Sequence, residues 1–204
     1  MKIKPIFTND ISSIVNIHMK SFPDSLFTKL GKKSIEKYYF WLFEGPHNSD
    51  KIGLFNDSRL IGFCFGGQFN GAVSGFVLKN ISHLIISILV RPYLSFNLNL
   101  TKKINRLIKD IFPYSKKKKS LQSKSIDTDH SYAILAIAVA NNFQNRGLGK
   151  KLISASEDFA KKRGYKKMHL SVSSSNNKAI QFYLNSGSNI LHSNSQANVL
   201  IKNI

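Results

Sequence analysis

An almost wholly apolar stretch, Tyr132 to Ala140, leads into Gln144-Asn145-Arg146-Gly147-Leu148-Gly149, and a helical pattern follows at once. No other feature constrains the chain as much. Residues that are nearly all apolar, and either β-branched or small, suit a strand covered on both faces. Asn141 to Arg146 is a polar turn, and from Leu148 the residues Leu152, Ala155, Phe159 and Ala160 share one helix face. Lys161-Lys162-Arg163-Gly164 closes that helix with cations in its last turn and a C-cap glycine. A strand that feeds a glycine-bearing turn into a helix N-terminus is an anion site. The first-turn N–H groups lack helical acceptors, and the macrodipole puts partial positive charge there. Gly147 and Gly149 let a pyrophosphate approach the backbone, while Arg146 and Lys150 add charge at the rim.

Two phosphate loops are excluded by spacing. A Walker A loop needs glycine where Gln144 stands and Ser or Thr where Lys151 stands. The dinucleotide fingerprint fails because Leu152 occupies its third small position. The pattern that remains is Q/R-x-x-G-x-G/A, met by Gln144, Gly147 and Gly149, and further along come Asn176, Ala179, Tyr183 and Gly187 in N-x-x-A-x-x-x-Y-x-x-x-G spacing.

In these two motifs, correctly ordered over residues 131 to 188, the chain resembles the GCN5-related N-acetyltransferases, the GNAT superfamily. It departs from their pattern at Ser188, where an aromatic residue is usual; that touches packing more than chemistry. The resemblance implies an α/β fold: a mixed, mostly antiparallel twisted sheet flanked by helices, with a helical insertion before the acetyl-CoA-binding strand. It implies acetyl-CoA as co-substrate, held by Ala138, Val139, Gln144, Asn145, Arg146, Gly147, Leu148, Gly149, Lys150 and Asn176. It implies direct transfer to an amine. The Val139 N–H, where the strand splays from its neighbour, polarises the thioester carbonyl, and Tyr183 is the general acid that protonates the leaving thiolate. The alternative role for Tyr183 is core packing on a short helix.

The rest of the chain reads more coarsely, as a single domain over 1–204. Ile3 to Ile6 starts a first strand. Asn9 or Asp10 caps a helix with Ile11, Ile14, Val15, His18 and Phe22 in helical spacing, ended by Pro23. After Gly31, Ile35, Tyr38, Tyr39, Leu42 and Phe43 form the stripe of a second helix, stopped by Gly45-Pro46. Lys51–Phe55 and Leu60–Phe69 are strands around Asn56-Asp57-Ser58, and Gly66-Gly67 either weakens the end of the second strand or lets something approach its backbone closely. Residues 72 to 128 form the insertion, apolar and helical at first, then mixed, with the run Lys116 to Lys119. Met168, Leu170 and Val172 alternate along a strand. Asn176 or Asn177 caps the short helix that contains Tyr183, and Asn198 to Ile204 is a last strand.

Charge bears on partners. Lys and Arg number 30 against 11 Asp and Glu, a net charge of +19. Selection for a polyanionic partner would produce this, and so would the Lys, Asn and Ile bias of an AT-rich genome. Aromatic residues follow core periodicity instead of alternating with basic ones, which argues against a nucleic-acid-reading surface. Cys64 is the single cysteine, so neither an intrachain disulfide nor a cysteine-based metal site can form, and no histidines stand at metal-ligand spacing; no metal is expected. The start of the chain lacks the apolar core of a signal peptide, and Ile81 to Val90 is too short for the roughly 20 residues of a membrane span. The expected location is cytoplasmic, with a peripheral contact to an anionic membrane through Lys116–Lys119 as one further reading.

The general base stays open. Asp129 and His130, just before the apolar strand, are the nearest candidates, with His18 and Asp24 as others. The stretch His18, Ser21-Phe22-Pro23, Phe27, Leu30-Gly31, Tyr38-Tyr39 is similar to the start of GNAT proteins found among bacterial surface-polysaccharide and amino-sugar genes. That similarity implies a small-molecule acceptor, a nucleotide-linked or lipid-linked amino sugar. The alternatives are a protein or ribosome acetyltransferase, and a non-catalytic CoA- or nucleic-acid-binding module of the same fold.

Overall fold

The computed structural model describes residues 1–69, 71–91 and 131–204. Asp129, His130, the Lys116–Lys119 run and the second part of the expected insertion lie outside the described residues.

The chain forms two compact units. The first holds a seven-stranded sheet in the order β1-β2-β3-β4-β5-β7-β6. Its strands are β1 (Lys2–Pro5), β2 (His47–Asn56), β3 (Arg59–Phe69), β4 (Tyr132–Val139), β5 (Lys167–Ser173), β6 (Asn189–Ser193) and β7 (Ala197–Asn203). β1 with β2, β3 with β4, β5 with β7 and β6 with β7 pair antiparallel, and β4 with β5 pairs parallel. Two long-expected helices complete the unit, α6 (Leu148–Lys162) and α7 (Asn177–Leu184). The expected mixed, mostly antiparallel α/β fold is therefore the observed one.

Alternation accounts for the core of this unit. Met168, Leu170 and Val172 of β5 are buried with Ile134, Leu152, Ile153, Ile180 and Leu200 in one cluster. α6 ends as its sequence dictates: Gly164 lies at φ +81, its N–H donates to Lys161 O, and the Tyr165 N–H returns to Ala160 O. The sequence reading missed two things here. Ile153 and Ser156 also face inward from α6, and β6 is an extra strand. All five β6 residues are exposed, so Asn189–Ser193 carries no alternation of apolar and polar residues to announce it.

β2 begins at His47, four residues before the expected start at Lys51, and the β2–β3 turn holds Asp57 in the left-handed region at φ 53. Of the two readings of Gly66-Gly67, the close approach is the one found. The β3–β4 register shifts at Phe65/Gly66, and a Cβ on Gly66 would lie 2.3 Å from the Tyr132 ring. At Gly67, φ +135, it would meet the Asn48 carbonyl oxygen at 2.5 Å. Tyr132 cannot retreat easily, because its hydroxyl donates to Asp50 Oδ2 at 3.1 Å and Asp50 in turn pairs with Arg163 at 2.8 Å. Gly66→Ala should therefore destabilise the protein by about 1–3 kcal/mol, the usual cost of overpacking. Urea unfolding measures this, and a midpoint equal to wild type would show that the Tyr132 ring has room to move.

The second unit is helical. It contains α1 (Ile11–Ser21), α2 (Leu26–Lys29), α3 (Lys32–Glu44), α4 (Ser74–Lys79) and α5 (Ile81–Leu89). α1 and α3 follow the expected stripes, with Ile14, Val15, His18, Ile35, Tyr38, Tyr39 and Leu42 buried. Asp10 precedes α1 as expected, but its carboxylate accepts from the Phe7 N–H instead of capping the helix itself. The short α2 was not anticipated; Ser25 caps it by accepting from the Thr28 N–H. The first part of the expected insertion is helical, as α4 and α5.

Candidate active site

The site is assembled within the first unit, where β4 runs out. β4 pairs with β5 only from Tyr132 to Ile134, opposite Met168 to Leu170. On its other side it stays paired with β3 as far as Val139. The second half of β4 is therefore open toward β5. The phase of the antiparallel ladder says which groups face the opening. The Ala140 N–H donates to Ile61 O at 2.8 Å, so Ala140 and Ile61 form a hydrogen-bonded pair. Alternation makes Val139 opposite Gly62 a non-hydrogen-bonded pair, and its N–H and C=O point away from β3. Ile137 has the same phase. The Val139 carbonyl is already engaged, since Gln144 Nε2 donates to it at 2.9 Å. Its N–H is the donor left facing the opening.

A one-turn 3-10 segment, Asn141–Phe143, then turns the chain toward α6. Two successive left-handed residues shape the loop, Asn145 at φ 61 and Gly147 at φ 71. The first helical hydrogen bond runs from the Lys151 N–H to Gly147 O. None of the backbone N–H groups from Asn145 to Lys150 donates to another described residue. Six consecutive donors, curled by two left-handed residues and set at a helix N-terminus, make a concave anion receptor. A Cβ at Gly147 would meet nothing within 4 Å, so the space beside it is open. Arg146 stands over the Phe143 ring at 5.5 Å, which keeps its charge at the rim, and Lys150 is exposed beside it.

Gln144 thus acts by position. Its side chain also donates to Asn141 Oδ1 at 3.3 Å, tying the loop to the end of β4. Asn176 caps α7, its Oδ1 accepting from the Ala179 N–H at 3.1 Å. Leu148 is buried and anchors the first turn of α6, with Ala138 and Val139 also buried. One contact escaped the sequence reading. Phe182 of α7 packs against the first turn of α6 so closely that a Cβ on Gly149 would lie 3.3 Å from its ring. Packing alone therefore favours a small residue at Gly149. The aromatic residue beside Tyr183 was the available signal.

Tyr183 is the residue next to that contact. It is 7% exposed and belongs to the core cluster, edge-on to Phe182. Burial, with Cys64 nearby, raises its pKa above the ordinary tyrosine value, so the hydroxyl is protonated at neutral pH. It makes no hydrogen bond to any described residue.

His18 and Asp24 belong to the second unit. His18 is 6% exposed, with Nδ1 2.8 Å from Tyr39 Oη and Nε2 3.1 Å from Ser25 Oγ. Desolvation lowers its pKa to about 4. With both ring nitrogens engaged it is a core histidine tying α1, α2 and α3 together. Asp24 is exposed and pairs with Lys29 at 3.3 Å. Among the described residues no cluster of His, Cys, Asp or Glu could hold a metal ion.

Residues 114–187 match the model of the acetyltransferase (GNAT) family. No curated protein sequence matches the chain. Among solved structures, the chain is similar to the PaiA N-acetyltransferase from Thermoplasma acidophilum in complex with coenzyme A, at 12% identity and a TM-score of 0.59, covering 100% of this chain and 98% of that one. The ribosomal-protein-S18-alanine N-acetyltransferase from Escherichia coli aligns at 16% identity and a TM-score of 0.56, covering 100% and 93%. A GNAT family acetyltransferase from Elizabethkingia anophelis with acetyl-CoA bound aligns at 14% identity and a TM-score of 0.52, covering 100% and 97%. At these identities the likeness is one of fold.

Proposed function

We infer that this chain, an acetyltransferase of the GNAT superfamily, moves the acetyl group of acetyl-CoA directly to a primary amine. The observation that carries the reading is the run of N–H donors from Asn145 to Lys150 beside the open Val139 N–H. The first suits a pyrophosphate and the second a thioester carbonyl, and the splay between β4 and β5 leaves room for the arm that joins them.

The chemistry follows from those groups. The neutral amine attacks the thioester carbon, and the Val139 N–H stabilises the oxyanion that forms. The C–S bond breaks, and the Tyr183 hydroxyl supplies the proton to the departing thiolate, recovering it from solvent. Burial weakens Tyr183 as an acid but keeps its proton in place at neutral pH, available to a strongly basic thiolate. The proton lost by the amine goes to Asp129, His130 or a water chain. Asn176 and the Arg146 and Lys150 side chains complete the cofactor contacts.

For the acceptor we propose an amino sugar linked to a nucleotide or lipid carrier, a reading that rests on the resemblance of residues 18 to 39 to GNAT proteins found among bacterial surface-polysaccharide and amino-sugar genes. The S18-alanine enzyme's fold and the net charge of +19 favour a second reading, a protein N-terminus on an RNA-rich particle. Release of CoA thiol, measured with a panel of nucleotide-linked amino sugars, alanine-starting peptides and polyamines, decides between them. Sugar-dependent release is the expected result. Peptide-dependent release would replace the sugar, and no release with any acceptor of the panel would leave a CoA-binding module.

A further inference from the structure

The α5 helix is built inside out. His83, Leu84, Ser87 and Ile88 face the interior of its unit, where Ser87 is buried and His83 Nε2 lies 3.1 Å from Ser34 Oγ of α3. The opposite half carries Ile81, Ile85, Ile86, Leu89 and, at the C-cap, Val90; Leu78 near the end of α4 is exposed as well. These six are exposed, from 39% at Ile81 to 72% at Leu89. At about 100° per residue, the five on α5 occupy one continuous half of the helix. A surface helix of a globular protein shows the reverse arrangement. A contiguous exposed aliphatic face of this kind marks an interaction surface.

Two observations indicate the partner. The face is purely aliphatic apart from Ser82, whereas protein interfaces gather aromatic residues, Met and Arg at their centres. The charge near it is mainly positive. α4 and α5 contain no Asp or Glu, Lys79 ends α4, and His83, at the edge of the face, is held below its ordinary pKa by burial and then by Lys37, Lys33 and Arg91. Of the acids nearby, Glu36 is engaged by Lys32 at 3.9 Å, and Glu44 lines the same hollow as Lys37 and Lys79. Aliphatic side chains bordered by lysines fit the boundary between acyl chains and anionic headgroups. Among the described residues no helix is long and apolar enough to cross a membrane, so such a contact lies in the plane of the surface.

We propose that the α4–α5 face rests on an anionic lipid surface, the aliphatic residues entering the acyl boundary and Lys79, Lys33 and Lys37 meeting headgroup phosphates. The proposal is independent of the acetyl-transfer reading. Full-length protein is sedimented with vesicles of phosphatidylglycerol and phosphatidylcholine, or of phosphatidylcholine alone, at low and high salt. Wild type should partition onto the anionic vesicles, less so at high salt. The variant Ile85→Ser/Ile86→Ser/Leu89→Ser should partition roughly tenfold less or weaker still. In a separate protein, Leu89→Trp, brominated acyl chains should quench the new fluorescence; this readout does not depend on the serine variant folding. Three results would overturn the proposal: no binding of wild type to anionic vesicles, equal binding by the serine variant, or a wild-type dimer in sedimentation velocity that the serine variant abolishes. The last would assign the face to a second copy of the chain.

Discussion

Tyr183→Phe should lower kcat roughly 10²-fold and leave the affinity for acetyl-CoA nearly unchanged. The substitution is unusually clean at this position. The ring is packed edge-on to Phe182 within the core cluster, and phenylalanine keeps those contacts. The hydroxyl makes no hydrogen bond to any described residue, so its removal leaves no partner unsatisfied and should not reduce stability. A role in packing and a role in proton donation therefore separate completely. Pre-steady-state turnover with a saturating amine acceptor measures the first quantity, and acetyl-CoA titration the second. Wild-type turnover in the variant would return Tyr183 to the core and leave the thiolate to be protonated by solvent.

The parts of the site that were legible in the sequence are those set by backbone rules. The apolar run of β4, the glycines at 147 and 149 and the Asn176 cap are local signals, and each element formed where its signal stood. Met168, Leu170 and Val172 were readable for the same reason, as period-two burial on one strand. What could not be read was the consequence of bringing distant segments together. That Gln144 supports the Val139 carbonyl depends on the loop folding back onto β4. That Phe182 presses on the position of Gly149 depends on α7 meeting α6, from which β5 separates it in the sequence. β6 escaped because an exposed edge strand has no buried face to impose a pattern. His18 shows the converse: a polar residue on an apolar stripe invited a catalytic reading, and only the Tyr39 and Ser25 contacts reveal that both its nitrogens are engaged.

Gly147→Glu tests the receptor itself. The residue sits at φ +71 between the exposed loop and α6, and a Cβ there meets no protein atom within 4 Å. The left-handed conformation costs a non-glycine residue about 1–2 kcal/mol, too little to unfold a typical domain. The added carboxylate enters the space beside the donors from Asn145 to Lys150, and its negative charge is favourable at a helix N-terminus when that terminus is empty. It therefore competes for the donors and repels a pyrophosphate at once. Affinity for acetyl-CoA should fall tenfold or more, at least about 1.4 kcal/mol. Isothermal titration of acetyl-CoA into wild type and Gly147→Glu, with circular dichroism to verify the fold, is the most direct measurement of the account. Saturable binding by wild type and a tenfold or greater loss in the variant is the predicted result; equal affinity in two folded proteins, or no binding to wild type, would contradict it.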